Sequence, residues 1–453
     1  MIALGIAILA PLVLAVVFGP RQWALRAMVA GLLYLTMGQA VSVFGFELYA
    51  TRILVLAAFM RVVLGGELDA TKLNDIDKFV LIAYGYRAGA YILNGNGSTS
   101  LAIGYLLDTG LAYFAFRGLI RDNDDLVQLL KFAPVLLLPY AALSSIERWT
   151  GDNVFAPMGG ITERFFERGG YPRVTGSFAH PSTFGSLGAS LLPLYIALLF
   201  DVRRRSSALA GAIACLGMVG LANSGGPLSA AAVAVLGWFV WFVRRRMRIV
   251  RWAIVVVLCA LAAVMKAPIW FLPAKVSAFS GGDGWHRSYL MQVAFEHLEL
   301  WWGAGMNVLA TRNWFPYYVP ATGGADIINY YVDFGIAAGL PAMALFVLLL
   351  SRVFGRLGDA LQVCRLRHSG ESEHERILWG LGVMLSVHVV NWFGIVYFDQ
   401  LHLVFCMQLA AISSLVAAEN LPAAVRSRTG EPAAEAARYP GLIRAREGPE
   451  HSL

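Results

Sequence analysis

Apolar blocks the length of a bilayer crossing recur along this chain from its first residues to about position 418, and they leave few folds open. A helical crossing needs about 17–25 mostly apolar residues. With shorter blocks accepted between clear loops, the candidates are 2–18, 25–43, 48–66, 78–93, 101–119, 127–146, 183–200, 207–223, 228–243, 250–266, 327–350, 377–395 and 400–418. The series predicts an all-α polytopic membrane protein of about 12–13 transmembrane helices. Residues 1–420 form the membrane domain, and 421–453, rich in Ala, Pro, Arg, Glu and Gly without an apolar period, read as a disordered cytoplasmic tail. The first block, Met1 to Phe18, has no charged n-region and no small-residue cleavage site, and reads as a retained helix.

Composition agrees. Hydrophobic residues make up 58 % and charged residues 14 %, against about 45–50 % and about 25 % in soluble domains. This excludes disorder, a disulfide scaffold and a soluble nucleic-acid binder. The net charge of +7 then reflects orientation rather than nucleic acid, because Lys and Arg collect in cytoplasmic loops. Alternate connections and the tail carry 25 of the 36 basic residues, from Arg21/Arg26 to Arg446. The opposite short loops, such as Asn94 to Ser100 and Val396 to Asp399, carry none. Two long loops, about 147–182 and about 267–326, then lie outside. Both are rich in aromatic residues, Gly and Pro, which predicts short interfacial helices. Three of the four cysteines fall in apolar runs and Cys364 in a basic loop, so no disulfide or metal framework is implied.

Nucleotide-binding glycine loops and HExxH are absent. Asp75-Ile-Asp77 has the DxD spacing, and it reads as a solvated turn of a charged loop. Charge at membrane depth marks candidate sites. Arg52 and Arg61 lie in the third block, Arg87 in the fourth, Asp108 in the fifth, and His388 and Asn391 in the twelfth. Arg52 either snorkels to the interface or binds a ligand. Arg87 and Asp108 either form a buried ion pair across adjacent spans or act on a ligand. His388 reads as a helix–helix histidine.

The outer loops carry the richest chemistry. The first ends in Tyr171-Pro-Arg173-Val-Thr-Gly-Ser-Phe-Ala-His180-Pro. The second contains Gly284-Trp-His286-Arg287 and Trp301-Trp-Gly-Ala-Gly305-Met, and closes with Asp326-Ile-Ile-Asn329-Tyr-Tyr-Val-Asp333-Phe-Gly335. The planar forks of Arg173 and Arg287 suit phosphate oxygens. Asp326 and His286 are candidate general bases. The alternative is a set of interfacial Arg–Asp pairs holding the loop down.

At these residues the chain resembles the O-antigen ligase and O-antigen polymerase superfamily of the bacterial inner membrane. The resemblance spans about 100–420. It rests on Glu147-Arg-Trp-Thr-Gly-Asp-Asn, the Arg173–Gly185 segment, Leu221-Ala-Asn-Ser-Gly-Gly-Pro, Arg287 with Trp301-Trp-Gly-Ala-Gly-Met, and Tyr330-Tyr-Val-Asp-Phe-Gly. It implies a GT-C-like glycosyltransferase without cofactor or metal. Such an enzyme acts at the periplasmic face on a glycan carried by undecaprenyl diphosphate and inverts the anomeric centre. It further implies membrane lipid as surroundings and leaves room for chain-length regulator or export proteins as partners.

By position, Arg173 and Arg287 match the family's diphosphate-binding arginines, and Arg87 and Arg52 are the further candidates for that role. Two departures bear on the function. Gly324-Ala325-Asp326 stand where the family often has His-Asn, and Ser224-Gly225 where it often has Ser-Arg. The missing histidine favours a repeat-unit polymerase over a ligase, with Asp326 first as base and His286 and His180 after it. A lipid-linked-sugar flippase and a non-catalytic assembly subunit are the rival classes. No internal repeat of the kind transporters carry is visible.

Overall fold

A computed structural model of the chain describes residues 1–43, 46–69, 73–96, 99–161, 166–275, 284–314, 325–367 and 371–418. The tail 421–453 lies outside the described residues, as do 276–283 and 315–324 of the second long loop. The described chain is almost entirely helical. Five of its helices are long and apolar enough to cross a membrane: Asn123–Thr150, Pro181–Leu199, Val202–Ala222, Gly225–Val264 and Tyr330–Arg367. Ala3–Phe18 and Leu401–Ala417 are shorter apolar helices.

In chain order the helices are α1 (Ala3–Phe18), α2 (Arg21–Tyr34), α3 (Ala50–Leu64), α4 (Asp75–Leu93), α5 (Thr99–Leu106), α6 (Ala112–Leu119), α7 (Asn123–Phe132) and α8 (Pro134–Thr150). They continue as α9 (Pro181–Leu199), α10 (Arg205–Ala222), α11 (Gly225–Phe239), α12 (Met247–Val264), α13 (Gly284–Glu296), α14 (Leu298–Trp301), α15 (Tyr330–Arg367), α16 (Glu373–Asn391) and α17 (Leu401–Ala418). Most apolar blocks of the sequence fall on one of these helices or on a run of two. Helices satisfy their own backbone groups, so an apolar block can be buried or face lipid without exposing unpaired N–H and C=O. α9 is the hub: its side chains are buried almost throughout, and it packs on α10, α11 and α16. α12 is the opposite case, with no buried residue.

Three local expectations are corrected. The block 25–43 is not one helix. α2 stops at Tyr34, and Ala40–Val43 (β1) pairs antiparallel with Phe46–Tyr49 (β2), where Val and Ser alternation suits a strand. The basic segment 352–367 is not a loop but the end of α15, and Cys364 is buried on it. Asp75 and Asp77 are not a solvated turn. They open α4 under a capping box with Asn74, Asp77 is fully buried against Arg117 and Tyr113, and Asp75 pairs with Arg356.

α15 is kinked where Gly339 takes φ +84°, just before Pro341. The loop segment Trp302–Met306 runs across that kink, with Met306 N–H donating to Ile336 O at 2.8 Å. A Cβ on Gly339 would fall 1.9 Å from Gly303 O, so the contact requires glycine. This accounts for the Trp-Trp-Gly-Ala-Gly spacing, with Trp301 buried and its indole N–H donating to Ala294 O at 2.8 Å.

The two ends of the bundle are chemically distinct. One gathers ion pairs between connections: Arg21–Asp125 at 2.8 Å, Arg204–Glu373 at 2.5 Å, Arg244–Glu371 at 2.7 Å and Arg365–Glu375 at 2.5 Å. The other gathers the long loops. Asn94 donates to Ala304 O at 2.7 Å, Asn96 to Met306 O at 3.0 Å, and Asn307 to Gly95 O at 2.8 Å. The candidate residues lie at this second end.

Candidate active site

The loop before α9 is fixed from several sides. Glu147, at the end of α8, accepts from the backbone N–H groups of Thr175 and Gly176, each at 3.1 Å, and from Thr175 Oγ1 at 3.0 Å. Asn153 donates to Gly176 O at 2.8 Å and to Thr175 Oγ1 at 2.7 Å. Gly176 has φ +58°, and a Cβ there would meet Tyr140 Oη at 2.7 Å and Ser144 Oγ at 2.9 Å. Ser177 donates through Oγ to Leu33 O at 2.7 Å. The Glu147–Asn153 motif thus serves to hold the Arg173–His180 motif.

Arg173 and His180 stand at the two ends of this fixed loop. Arg173 lies beside the turn between α10 and α11, its Nε 3.4 Å from Ala222 O. That turn holds Asn223 in the left-handed region, with its amide donating to Arg168 O at 3.2 Å. Burial, then the neighbouring Arg168 and Arg287, pull the Arg173 guanidinium down to about 10. The charges acting on it among the described residues are arginines, with no carboxylate. Arg287, on α13, lies against Gly394 and Gly226: a Cβ on Gly394 would be 2.9 Å from its Nη1, and one on Gly226 would be 3.8 Å from its Nη2.

His180 caps α9. Its Nδ1 accepts the Ser182 backbone N–H at 3.0 Å. Burial, then Arg173, Arg287 and Arg168, push the imidazole down to about 4. It is therefore neutral near pH 7. With Nδ1 accepting, its proton sits on Nε2, which makes that edge of the ring a donor. The ring is flanked edge-on by Phe166 at 5.0 Å and by Phe398 at 6.4 Å. The charges of three arginines thus act together on the His180 ring. Such a cluster attracts a multiply charged anion with oxygen acceptors.

A cavity of about 350 Å³ adjoins this cluster. Arg52 and Arg87 both line it, away from Arg173 and Arg287. The expected Arg87–Asp108 pair does not form. Arg52 takes Asp108, through Nε at 2.8 Å and Nη2 at 2.6 Å. Arg87 pairs with Asp333 on α15 and is clamped over the rings of Phe334 and Tyr105. The reason is packing: α4 lies along α15, while α3 meets the π-turn Leu107–Leu111 that carries Asp108. Both arginines therefore have carboxylate partners, unlike Arg173.

Asp326 is half-buried on the extended segment before α15, and His286 is half-buried on α13. Neither lines the cavity, and neither is among the charged groups acting on His180. His388 is buried and bonded through Nδ1 to Tyr397 Oη, in the connection after α16, at 2.5 Å, and Asn391 donates across to Ser186 on α9 at 2.7 Å. Three further residues belong to the site. Arg168 acts on Arg173 and His180; Asp399 and His402 line the cavity. Asp399 carried a signal in the sequence: a lone acid in the short connection between the last two apolar blocks.

No protein-family model matches the chain, and no curated protein matches its sequence.

Proposed function

We propose that the protein is a lipid-linked-sugar glycosyltransferase of GT-C-like architecture in a bacterial inner membrane. It polymerises undecaprenyl-diphosphate-linked oligosaccharide repeat units into a surface or secreted polysaccharide on the periplasmic face, with inversion at the anomeric carbon. The observation that supports this reading is the group of Arg168, Arg173 and Arg287, whose charges act together on neutral His180. A diphosphate offers the charged oxygen acceptors that guanidinium forks bind. As the glycosidic C–O bond breaks, charge grows on the leaving diphosphate, and preplaced guanidiniums stabilise it most at that moment. The surrounding apolar helices suit a polyprenyl tail, and the positive-inside pattern puts the tail and the Arg–Glu end in the cytoplasm.

The transport reading rested on Arg87 and Asp108, and each has an ion-pair partner that fixes it in the bundle. The test is reconstitution of the purified chain with undecaprenyl-diphosphate-linked oligosaccharide, read on a gel. A ladder of lengthening glycans supports polymerisation. Transfer only after a lipid or protein acceptor is added changes the reading to a ligase. Absence of transfer with every acceptor contradicts the enzyme reading.

A further inference from the structure

The cavity and the arginine cluster share a wall. Phe398 lines the cavity and touches His180. Asp399, beside it, also lines the cavity and is bonded to Thr183 in the first turn of the helix that His180 caps. An anion at the arginines and a ligand in the cavity would therefore meet across this wall.

The lining describes the ligand. Arg52 is neutralised by Asp108 and Arg87 by Asp333, so the four charges cancel in pairs. What is left is fixed forks of donors and acceptors with the aromatic faces of Tyr91 and Tyr105. That combination suits a neutral, hydroxyl-rich ring rather than an ion or a hydrocarbon chain. The volume falls at the small end of ligand pockets, about 300–1,000 Å³.

The third acid of the cavity differs from the other two. Asp399 is buried, and burial is the largest influence on it, followed by hydrogen bonds. It accepts from Thr183 Oγ1 at 2.6 Å, from Leu401 N–H at 3.2 Å, and from the backbone N–H of Ala179. Thr183 Oγ1 is also 2.8 Å from His180 O. The threonine has one proton and two acceptors. While Asp399 is ionised, that proton points to it. Once Asp399 is protonated, Thr183 turns to the His180 carbonyl and its oxygen accepts from the new carboxyl O–H. Asp399 can thus take a proton without leaving a buried polar group unsatisfied.

We propose that the cavity holds the acceptor saccharide and that Asp399 is the catalytic base that removes the proton from its attacking hydroxyl. This rests on the glycosyltransferase reading above and moves the base from Asp326 to Asp399. The acceptor oxygen forms the new bond to the anomeric carbon, and the bond from that carbon to the diphosphate breaks. The electron pair leaves with undecaprenyl diphosphate at the arginines, and the proton goes to the Asp399 carboxylate and then to solvent. Burial pushes Asp399 up to about 6, against its hydrogen bonds, which tunes it as a base near neutral pH. Asp108 and Asp333 are each held in an ion pair with an arginine. The other titratable and polar groups around Asp399 are Thr183, Tyr140, Tyr397, His402 and the two ion pairs of the cavity.

The test uses the full chain in nanodiscs, with donor binding and turnover measured separately. Asp399→Asn is expected to bind undecaprenyl-diphosphate-linked oligosaccharide within about twofold of wild type while turnover falls by about 100-fold or more, as for loss of a general base. Wild-type turnover loses rate below a pH of about 6, and this limb disappears in the variant's residual rate. Tyr91→Ala raises the KM for acceptor with little change in kcat. If Asp399→Asn also loses donor binding, Asp399→Glu decides: recovered turnover with an acid limb supports the base, and full donor binding without turnover contradicts it. Wild-type turnover in Asp399→Asn, with an unchanged pH profile, overturns the proposal and leaves the glycosyltransferase reading standing. A wild-type protein that binds no lipid-linked diphosphate overturns both.

Discussion

The guanidinium of Arg87 is paired with the carboxylate of Asp333, 246 residues further along the chain. The pair ties α4 to α15 where both reach the cavity, and Phe334 and Tyr105 cover the cation. Removing one member leaves a buried, uncompensated charge, which costs about 3–5 kcal/mol. Arg87→Ala and Asp333→Asn should each lower thermal stability strongly, and the double variant should lose much less than the sum. A cycle between Arg87 and Asp108 should show little coupling. Strong coupling in that second cycle would mean that the pairs are exchanged.

Gly176 holds a left-handed turn directly beneath Tyr140 and Ser144. Gly176→Ala adds about 1–2 kcal/mol of backbone strain and a steric conflict with both side chains. The expected result is a lower melting temperature together with loss of lipid-diphosphate binding, because the same loop carries Arg173 and His180. Gly217→Ala, where the added methyl meets nothing within 4 Å, is the control and should leave both properties intact.

His180 and Asp399 give stability opposite dependences on pH. His180 is down to about 4 in the folded protein from an ordinary 6.5. Between those values the unfolded chain binds more protons, so stability rises with pH. Asp399 is up to about 6 from 3.8. In that window the folded chain binds more protons, so stability falls as pH rises. Asp399→Asn removes the falling contribution, and its melting temperature should climb more steeply than wild type between pH 4 and 6, the overlap of the two windows. His180→Ala should climb less steeply. Identical slopes in all three proteins would refute both assignments.

The two chemically different ends of the bundle should face opposite compartments. In a cysteine-free background, Asp152→Cys and Arg203→Cys both place the thiol at an exposed position. An impermeant maleimide applied to intact cells should label position 152 and leave position 203 unlabelled until the cells are broken. The reverse pattern would invert the membrane orientation.

The helical class was legible because a bilayer crossing writes itself as a run of apolar residues, although five of the expected 12–13 crossings stand in the structure as helices long and apolar enough to span a membrane. The short strands β1 and β2 were not legible, since Ala40–Val43 is as apolar as the helix that precedes it. The arginine cluster was partly legible. Arg173, Arg287 and His180 stood out as polar groups in outer loops, and the fold brings them together with Arg168. The partners of Arg52 and Arg87 were not, because they depend on which helices lie side by side: α4 packs on α15, far away in sequence. Asp399 was missed for a related reason. Its role depends on the cavity and on Thr183, neither of which is a property of the residues next to it.

The measurement that tests the central claim most directly is the affinity of the purified protein for undecaprenyl-diphosphate-linked oligosaccharide, compared with Arg173→Ala and Arg287→Ala in the same nanodiscs. Each lost charge-assisted contact is worth about 1.5–3 kcal/mol, so the account predicts an affinity loss of about tenfold or more in each variant. It also predicts that undecaprenol without its diphosphate binds wild type and variants alike. Unchanged affinity in both variants, or equal binding of the lipid with and without its diphosphate, would contradict it.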